Sequence, residues 1–331
     1  MTTLNRLSFT VAAGLLSTTA YASDGADVSV GARVVAHFGY DMKPTPYEGY
    51  VDGDPRPNEF EIDRAYLNFR AKMDETFSAR ITTDISRTTG EGLEVMLKYA
   101  YLQVSLEEDI KLRFGSAGTP LIGFTENFWG HRWAAKSFAD SVGVLDSADL
   151  GVHALGRHAD GLFSWGASIV NGEGYRNPDT DGAKAFEARF TVDALHGEMS
   201  LPISVFFSKD FYTHNDVNGH TILSASVGFD SEFVGIWGEY LSDSFGALKG
   251  QGMSGHILGK VPDDLFNVLI RVDQWDPNAA IDDDAYTAIR GGFTKDFAKK
   301  ISAGLLYEQT KYDADPDQPE KGIFLRMQAG F

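Results

Sequence analysis

The amino-acid sequence predicts an all-β fold, a transmembrane antiparallel β-barrel of about 16 strands over residues 23–331. Three observations predict it. Apolar and polar residues alternate in segments of roughly ten residues, which is the period of strands whose two faces meet different environments. The connections between these segments alternate between short and long. After residue 22 no run of about 18 apolar residues occurs, which excludes a transmembrane helix there.

Composition excludes several function classes. The chain has 29 Lys and Arg against 47 Asp and Glu, and its formal net charge is −18. A protein this acidic does not wrap nucleic acid as a whole, because phosphate binding requires a positive surface. The absence of cysteine excludes disulfides, zinc–thiolate sites and a thiol nucleophile. The 35 glycines and the 12% of aromatic residues favour strands and turns over helices.

Residues 1–22 are typical of a cleaved signal peptide. Arg6 supplies the positive charge, residues 7–16 form a mostly apolar stretch, and residues 20–22 match a small-x-small cleavage site. Arg6 is the one charged residue of this segment, so its removal changes the net charge from −18 to −19. The alternative is an amphipathic first helix of the mature fold. The predicted organisation is a signal peptide followed by one barrel domain at 23–331.

Alternation marks each strand candidate. In the first, Val28, Val30 and Val34 alternate with Ser29 and Arg33, so one face is suited to lipid and the other to water. The sixteen predicted strands are 27–38, 59–71, 77–86, 92–106, 109–116, 149–158, 161–171, 184–193, 200–208, 219–229, 232–242, 249–260, 264–275, 285–295, 299–310 and 322–331.

Loop lengths separate a barrel from a soluble β-sandwich. Connections 39–58 and 172–183 are long, whereas 72–76 and 159–160 are short, and 87–91 interrupts this regularity. A barrel with both termini in the periplasm has tight periplasmic turns and longer outer loops. A sandwich has no reason to sort its loops in this way, so the barrel is favoured.

The third outer connection, 117–148, is too aromatic and too apolar to extend freely into water. Loops of this length in compact folds are usually functional, and a lumen of 16 strands is wide enough to hold one. We expect it to fold into the lumen and narrow it. The alternative is a loop that packs on a neighbouring subunit or caps the mouth. The constriction candidates are Trp129, His131, Arg132, Trp133 and Lys136.

Short segments along the mature chain are distinctive: EFEIDRAYLNFRAKM (59–73), LKYAYLQVSL (97–106), KLRFGSAGTPL (111–121), DLGVHALG (149–156), NGEGY (171–175), LIRVDQWD (269–276) and FLRMQAGF (324–331). Together they resemble the phosphate-selective porin O/P family of Gram-negative outer membranes. The resemblance implies a 16-stranded homotrimeric porin with its third loop in the lumen, and a terminal Phe331 that the barrel-assembly machinery recognises. Phosphate-selective members carry a strong Lys/Arg cluster, whereas this third loop offers Arg132 and Lys136 alone. The resemblance therefore extends to the class and not to phosphate specificity.

The lumen-facing phase of the strands is richer in basic than in acidic residues. Its ten basic candidates are Arg33, Arg64, Arg70, Arg80, Lys111, Arg113, Arg189, Arg271, Arg290 and Arg326. Its five acidic ones are Asp84, Glu187, Glu239, Asp273 and Glu308, which leaves a net of plus five. Charge of one sign along a pore selects permeant ions, and arginine suits carboxylate and phosphate. The alternative is that Arg271 pairs with Asp273, and Glu187 with Arg189, which would only stiffen the wall. The alternation breaks near residues 63–64 and 99–100, so assignments there can slip by one residue.

The function predicted is therefore an outer-membrane porin, a water-filled channel for small hydrophilic solutes with an anion preference. The expected partners are outer-membrane lipid, lipopolysaccharide, the barrel-assembly machinery, two further copies of the chain and the solutes. No cofactor, metal site or nucleic-acid partner is predicted. Two alternatives stay open: a non-conducting barrel for adhesion or structure, and a barrel-embedded hydrolase with a Ser-His or acid dyad at one rim.

Overall fold

A computed structural model describes residues 25–42, 58–87, 92–214, 217–262 and 265–331. The predicted signal peptide lies outside these residues, as does most of the first and second outer connections. The strands are β1 Asp27–Asp41, β2 Asn58–Lys72, β3 Phe77–Arg87, β4 Leu93–Glu107, β5 Ile110–Gly118, β6 Ala148–His158, β7 Phe163–Val170, β8 Ala185–Asp193, β9 Pro202–His214, β10 Val217–Asp230, β11 Val234–Phe245, β12 Leu248–Lys260, β13 Asn267–Asp276, β14 Tyr286–Ala298, β15 Ile301–Tyr312 and β16 Glu320–Gly330.

These sixteen strands of the described residues form one closed antiparallel barrel. Each strand pairs with its neighbours in sequence, and β1 closes the barrel by pairing with β16. Closure leaves no free sheet edge, as a barrel in lipid requires. The predicted fold class is confirmed. Among the described residues, no helix is both long and apolar enough to cross a bilayer.

Alternate side chains of each strand face two different environments. In β9, Val205 is 55% exposed on the outer face, whereas its neighbour Phe206 is 3% exposed on the inner face. The outer face is apolar from strand to strand, as lipid requires, and the inner face carries most of the serine and charged groups.

Some strands run further outward than their apolar pattern predicts. The connection expected at 209–218 shrinks because β9 continues to His214 and β10 begins at Val217. Lys209 still pairs with Thr221 in this extension. Above the lipid both faces of a hairpin meet water, so alternation no longer marks the strand.

Two β-bulges shift the inward phase. Opposite β1, Val35 pairs with Arg64 but Ala36 pairs with Ile62, so Asp63 is the extra residue of β2. Opposite β3, Thr82 pairs with Tyr99 but Thr83 pairs with Leu97, so Lys98 is the extra residue of β4. A bulge re-aims a side chain without breaking the barrel. Lys98 consequently lies on the inner side, a position that the sequence pattern did not predict.

The β5–β6 connection lies inside the barrel, as predicted. It contains helices α1, Pro120–Trp129, and α2, Phe138–Ser141. Proline starts α1, and Gly130 ends it in the left-handed conformation at φ 65°. Leu121 and Ile122 of α1 pack against the inward side chains Phe206 of β9 and Ile222 of β10.

Candidate pore and constriction

The β5–β6 connection is fixed against one side of the barrel. Trp129 and Trp133 form a buried cluster with inward residues of β1, β13 and β15. The Trp129 ring lies 4.5 Å from the His256 ring. Arg271 of β13 stacks 5.0 Å above the Trp129 ring and donates a 2.6 Å hydrogen bond to the Lys136 carbonyl. Together with the contacts of α1 to β9 and β10, these contacts hold the connection against the wall from β9 to β15 and against β1, and open space remains beside β2–β4.

The five constriction candidates divide into two groups. Trp129, His131 and Trp133 are buried between the loop and the wall, where they anchor the loop and do not line the cavities described below. Burial lowers the pKa of His131, so its ring is uncharged at neutral pH. Arg132 and Lys136 do line cavities.

The charges of this loop balance one another. Arg132 donates hydrogen bonds to Glu126 and, at 2.8 Å, to Asp140, and Lys136 lies 3.3 Å from the same Asp140 carboxylate. Burial works to raise the pKa of Asp140, but the Arg132 and Lys136 cations outweigh it and hold that pKa below its usual value. Two cations and two carboxylates therefore cancel at the constriction.

The cavities on the open side lie at two levels. The outer cavity, about 420 Å³, is lined by residues that include Arg64, Asp84, Met96, Lys136 and Arg176. The inner cavity, about 440 Å³, is lined by residues that include Arg33, Tyr66, Arg70, Arg80, Lys98 and Arg132. The two cavities share no lining residue. On β2, Arg64 borders the outer cavity and Tyr66 the inner one, and on β4 the same division falls between Met96 and Lys98. The division between the two cavities therefore lies at this level. A larger cavity of about 900 Å³ extends from Arg80 and α1 toward the short turns.

Arginines on the open side stack on aromatic rings. Three guanidinium carbons lie over rings at these centroid distances: Arg80 over Tyr99 at 4.4 Å, Arg113 over Tyr101 at 5.0 Å and Arg189 over Phe124 at 4.4 Å. Their hydrogen bonds go to neutral groups such as Asn68 and Gln103. Among the described residues, no carboxylate lies within 4.0 Å of these three or of Arg33, Arg70, Lys98 and Lys111. We call these seven cations the stacked wall, after the four of them that lie over aromatic rings: Arg80, Lys98, Arg113 and Arg189.

Arginines on β13, β14 and β16 are paired instead. Successive nitrogen–oxygen distances are Arg271–Asp273 2.8 Å, Asp273–Arg290 2.9 Å, Arg290–Glu308 3.3 Å, Glu308–Arg326 2.9 Å, Arg326–Asp63 3.4 Å and Asp63–His37 3.1 Å. Three guanidinium groups alternate with three carboxylates, so the series is close to neutral. We call Arg271, Arg290, Arg326 and their three carboxylates the paired wall. The alternative of an Arg271–Asp273 pair is thus realised, whereas Glu187 and Arg189 form no ion pair.

The other lumen-facing candidates lie in distinct surroundings. Arg64 donates to the Tyr66 hydroxyl at 3.3 Å. Glu187 and Glu239 are buried on the inner face of β8 and β11. Sequence reasoning missed Asp63, Lys98 and Tyr175. The break in alternation was a signal for the first two, although it did not show which residue is extra.

Phe331 extends the β1–β16 pairing, because its N–H donates to the Ala32 carbonyl at 3.1 Å. Its side chain is exposed. Recognition of this residue by the assembly machinery stays a prediction.

No family model matches the sequence, and no curated protein matches it significantly, so membership of the phosphate-selective porin O/P family is not shown. Solved structures resemble the fold. OmpF of Salmonella typhi, solved in complex with daunomycin, superposes at TM-score 0.67 with 11% identity and covers 94% of this chain and 99% of its own. An anion-selective porin from Comamonas acidovorans gives TM-score 0.66 at 12% identity, over 92% and 100%. The trimer form of OmpT, an outer-membrane protein of Vibrio cholerae, gives 0.63 at 12% identity, over 93% and 100%. At such identities the likeness concerns the fold alone.

Proposed function

We propose that the protein is an outer-membrane porin, a water-filled channel for passive diffusion of small hydrophilic solutes, with a preference for anions. The observation that carries this proposal is the stacked wall, which lines the cavities with cations that no carboxylate neutralises. The paired wall and the β5–β6 connection add almost no net charge. The excess of positive charge is greatest in the inner cavity, where six Lys and Arg residues face Glu126 as the one lining carboxylate side chain of the described residues.

Physical magnitudes support an anion preference. At an effective dielectric constant of roughly 20 to 80, a unit charge about 8 Å from a solute contributes roughly 0.5–2 kcal/mol. Several such charges of one sign raise the local concentration of anions and exclude cations. Stacking on a ring fixes each guanidinium plane and leaves N–H groups for carboxylate or phosphate oxygens.

A channel fits the structure better than a barrel-embedded hydrolase. Ser168 and His153 do form a 2.9 Å hydrogen bond on the inner wall. Both are almost completely buried, at 2% and 1% exposure, so a substrate has no route to the hydroxyl group. Liposome swelling with sugars of increasing size tests the channel itself, and an impermeable protein would favour the adhesive or structural alternative.

Charge selectivity is tested by reversal potentials in planar bilayers under a KCl gradient. We expect a reversal potential whose sign corresponds to chloride permeating faster than potassium. Its magnitude should be smaller at high salt, because screening shortens the range of the wall charges. A potential of the cation-selective sign would contradict the anion preference while leaving the channel intact.

The assembly follows from the same proposal. The apolar outer face suits an outer-membrane bilayer, and we propose a homotrimer, by analogy with the trimer form of the Vibrio cholerae protein. Contacts with lipopolysaccharide and with the assembly machinery belong to this proposal. Membrane fractionation of the producing cell and the mass of the detergent-extracted particle test location and trimer.

A further inference from the structure

A second connection, β7–β8 at residues 171–184, also reaches into the lumen. The Tyr175 hydroxyl donates a 2.7 Å hydrogen bond to the Asp84 carboxylate of β3, which lies 91 residues earlier in the sequence. Burial raises the pKa of the Tyr175 phenol, so the hydroxyl keeps its proton and remains a donor. Arg176 lies 3.9 Å from the same carboxylate.

The backbone of this connection is held in place by Asp149. Its carboxylate accepts hydrogen bonds from the N–H of Gly172 at 2.9 Å and of Gly174 at 3.3 Å. Gly174 has a φ of +77°, and a Cβ there would lie 2.0 Å from an Asp146 oxygen, so glycine is required. The N–H of Tyr175 then donates to the Ala148 carbonyl at 3.0 Å. Tyr175 is therefore a positioned side chain and not a loose loop residue.

Tyr175 lies at the level that divides the outer cavity from the inner one. Its hydroxyl bonds Asp84, which lines the outer cavity. Its ring lies 5.6 Å from the Lys98 ammonium, which lines the inner cavity. Tyr66 and Tyr99 complete the surroundings of this ammonium at 5.4 and 5.6 Å. Lys98 as a whole residue is 3% exposed, and the three rings surround its ammonium where it borders the inner cavity.

We propose that Tyr175 is a lid of the β7–β8 connection that sets the size limit of the channel and controls access to Lys98. This inference rests on the proposed channel function. Asp84 and Asp149 are positioning residues, because they hold the ring and its backbone without lining the narrowest point themselves. Displacing the ring opens the space between the two cavities and removes one of the three rings around the Lys98 ammonium, where a passing anion compensates its charge.

A cysteine at this position provides the test. The chain has no cysteine, so Tyr175→Cys introduces a unique thiol. We expect single-channel conductance of about two-fold above that of the unmodified protein, because the ring is removed from the narrowest point. A methanethiosulfonate reagent added to the outer side should then reduce the current to about half or less, because it places new bulk at that point.

The matched control is Tyr312→Cys, at the outer end of β15, where the ring contacts Tyr286 and not Asp84 or Lys98. Conductance should equal that of the unmodified protein, with or without the reagent. Tyr175→Phe keeps the ring but loses the bond to Asp84, so the size limit in swelling assays should stay while the channel opens more often.

The outcomes separate the lid from the channel. If all proteins conduct and Tyr175→Cys keeps the original conductance, size limit and current after labelling, the lid is contradicted and the channel stands. If neither the unmodified protein nor any variant conducts, although each shows the heat-modifiable mobility of a folded barrel, the channel is contradicted and the lid with it.

Discussion

The arginines of the two lumen walls differ in whether a carboxylate pairs with them. On the paired wall, Arg290 lies between Asp273 and Glu308 and satisfies both carboxylates. On the stacked wall, Arg80 lies on the Tyr99 ring and bonds the Asn68 side chain. An aromatic ring orients a guanidinium group without neutralising it, whereas a carboxylate does both. The number of arginines in a lumen therefore does not measure its field.

The largest expected effect comes from removing charge on the stacked wall. The triple variant Arg80→Gln, Arg113→Gln and Arg189→Gln should lower the chloride-to-potassium permeability ratio by at least about ten-fold, since each of the three charges contributes at least about 0.5 kcal/mol. Reversal potentials measure this ratio. The matched control is the double variant Arg290→Gln and Glu308→Gln, which removes one cation and one anion from the paired wall. It should change the ratio by less than about two-fold, and an equal effect of both variants would erase the distinction between the walls.

A smaller effect is expected when a carboxylate of the paired wall is removed alone. Glu308→Gln frees both Arg290 and Arg326 from a shared partner. The anion preference should rise by about two- to three-fold, because one negative charge leaves the lumen. Glu232→Gln, on the exposed turn between β10 and β11, is the control and should leave reversal potentials unchanged. An unchanged ratio for Glu308→Gln would mean that solutes do not sense this wall, and a fall would contradict the predicted direction.

The smallest effect is a response to pH at the constriction. The pKa of Asp140 is lowered in the folded protein, so the stabilising contribution of its pairs with Arg132 and Lys136 is present above the unfolded pKa. It is lost as the pH falls through the lowered folded value. The contribution of Asp140 to ion selectivity should therefore stay constant through mildly acidic pH, and its loss should raise the chloride-to-potassium permeability ratio only below the usual carboxyl range of about 4. The variant Asp140→Asn should show the acidic selectivity already at neutral pH.

The strands and their inward phase could be predicted because lipid and water impose a strict two-residue period. The same period placed the basic candidates on strands, and it signalled irregularity near Arg64 and Tyr99. It did not identify Lys98, because a break in alternation shows that a residue is extra without showing which one. The pairing of β3 with β4 shows that Lys98 is the extra residue.

Pairing and loop contacts could not be predicted from the pattern. Asp63 and Arg326 are 263 residues apart and meet only because β16 closes on β1. The sequence predicted that Trp129 and Trp133 line the constriction. They are instead buried against the barrel wall, because removing their large apolar surface from water is favourable. Tyr175 forms a hydrogen bond with Asp84 of β3, and the alternation of residues along a strand cannot predict a contact between a loop and a distant strand.

Anion positions in a crystal would test the contrast between the walls most directly. Bromide soaked into crystals of the protein is located by its anomalous scattering, and the stacked and paired walls are compared in the same lumen. We expect bromide beside Arg80, Arg113 and Lys111 and none beside Arg290. Bromide on the paired wall with an empty stacked wall would contradict the assignment of selectivity to cations without carboxylate partners.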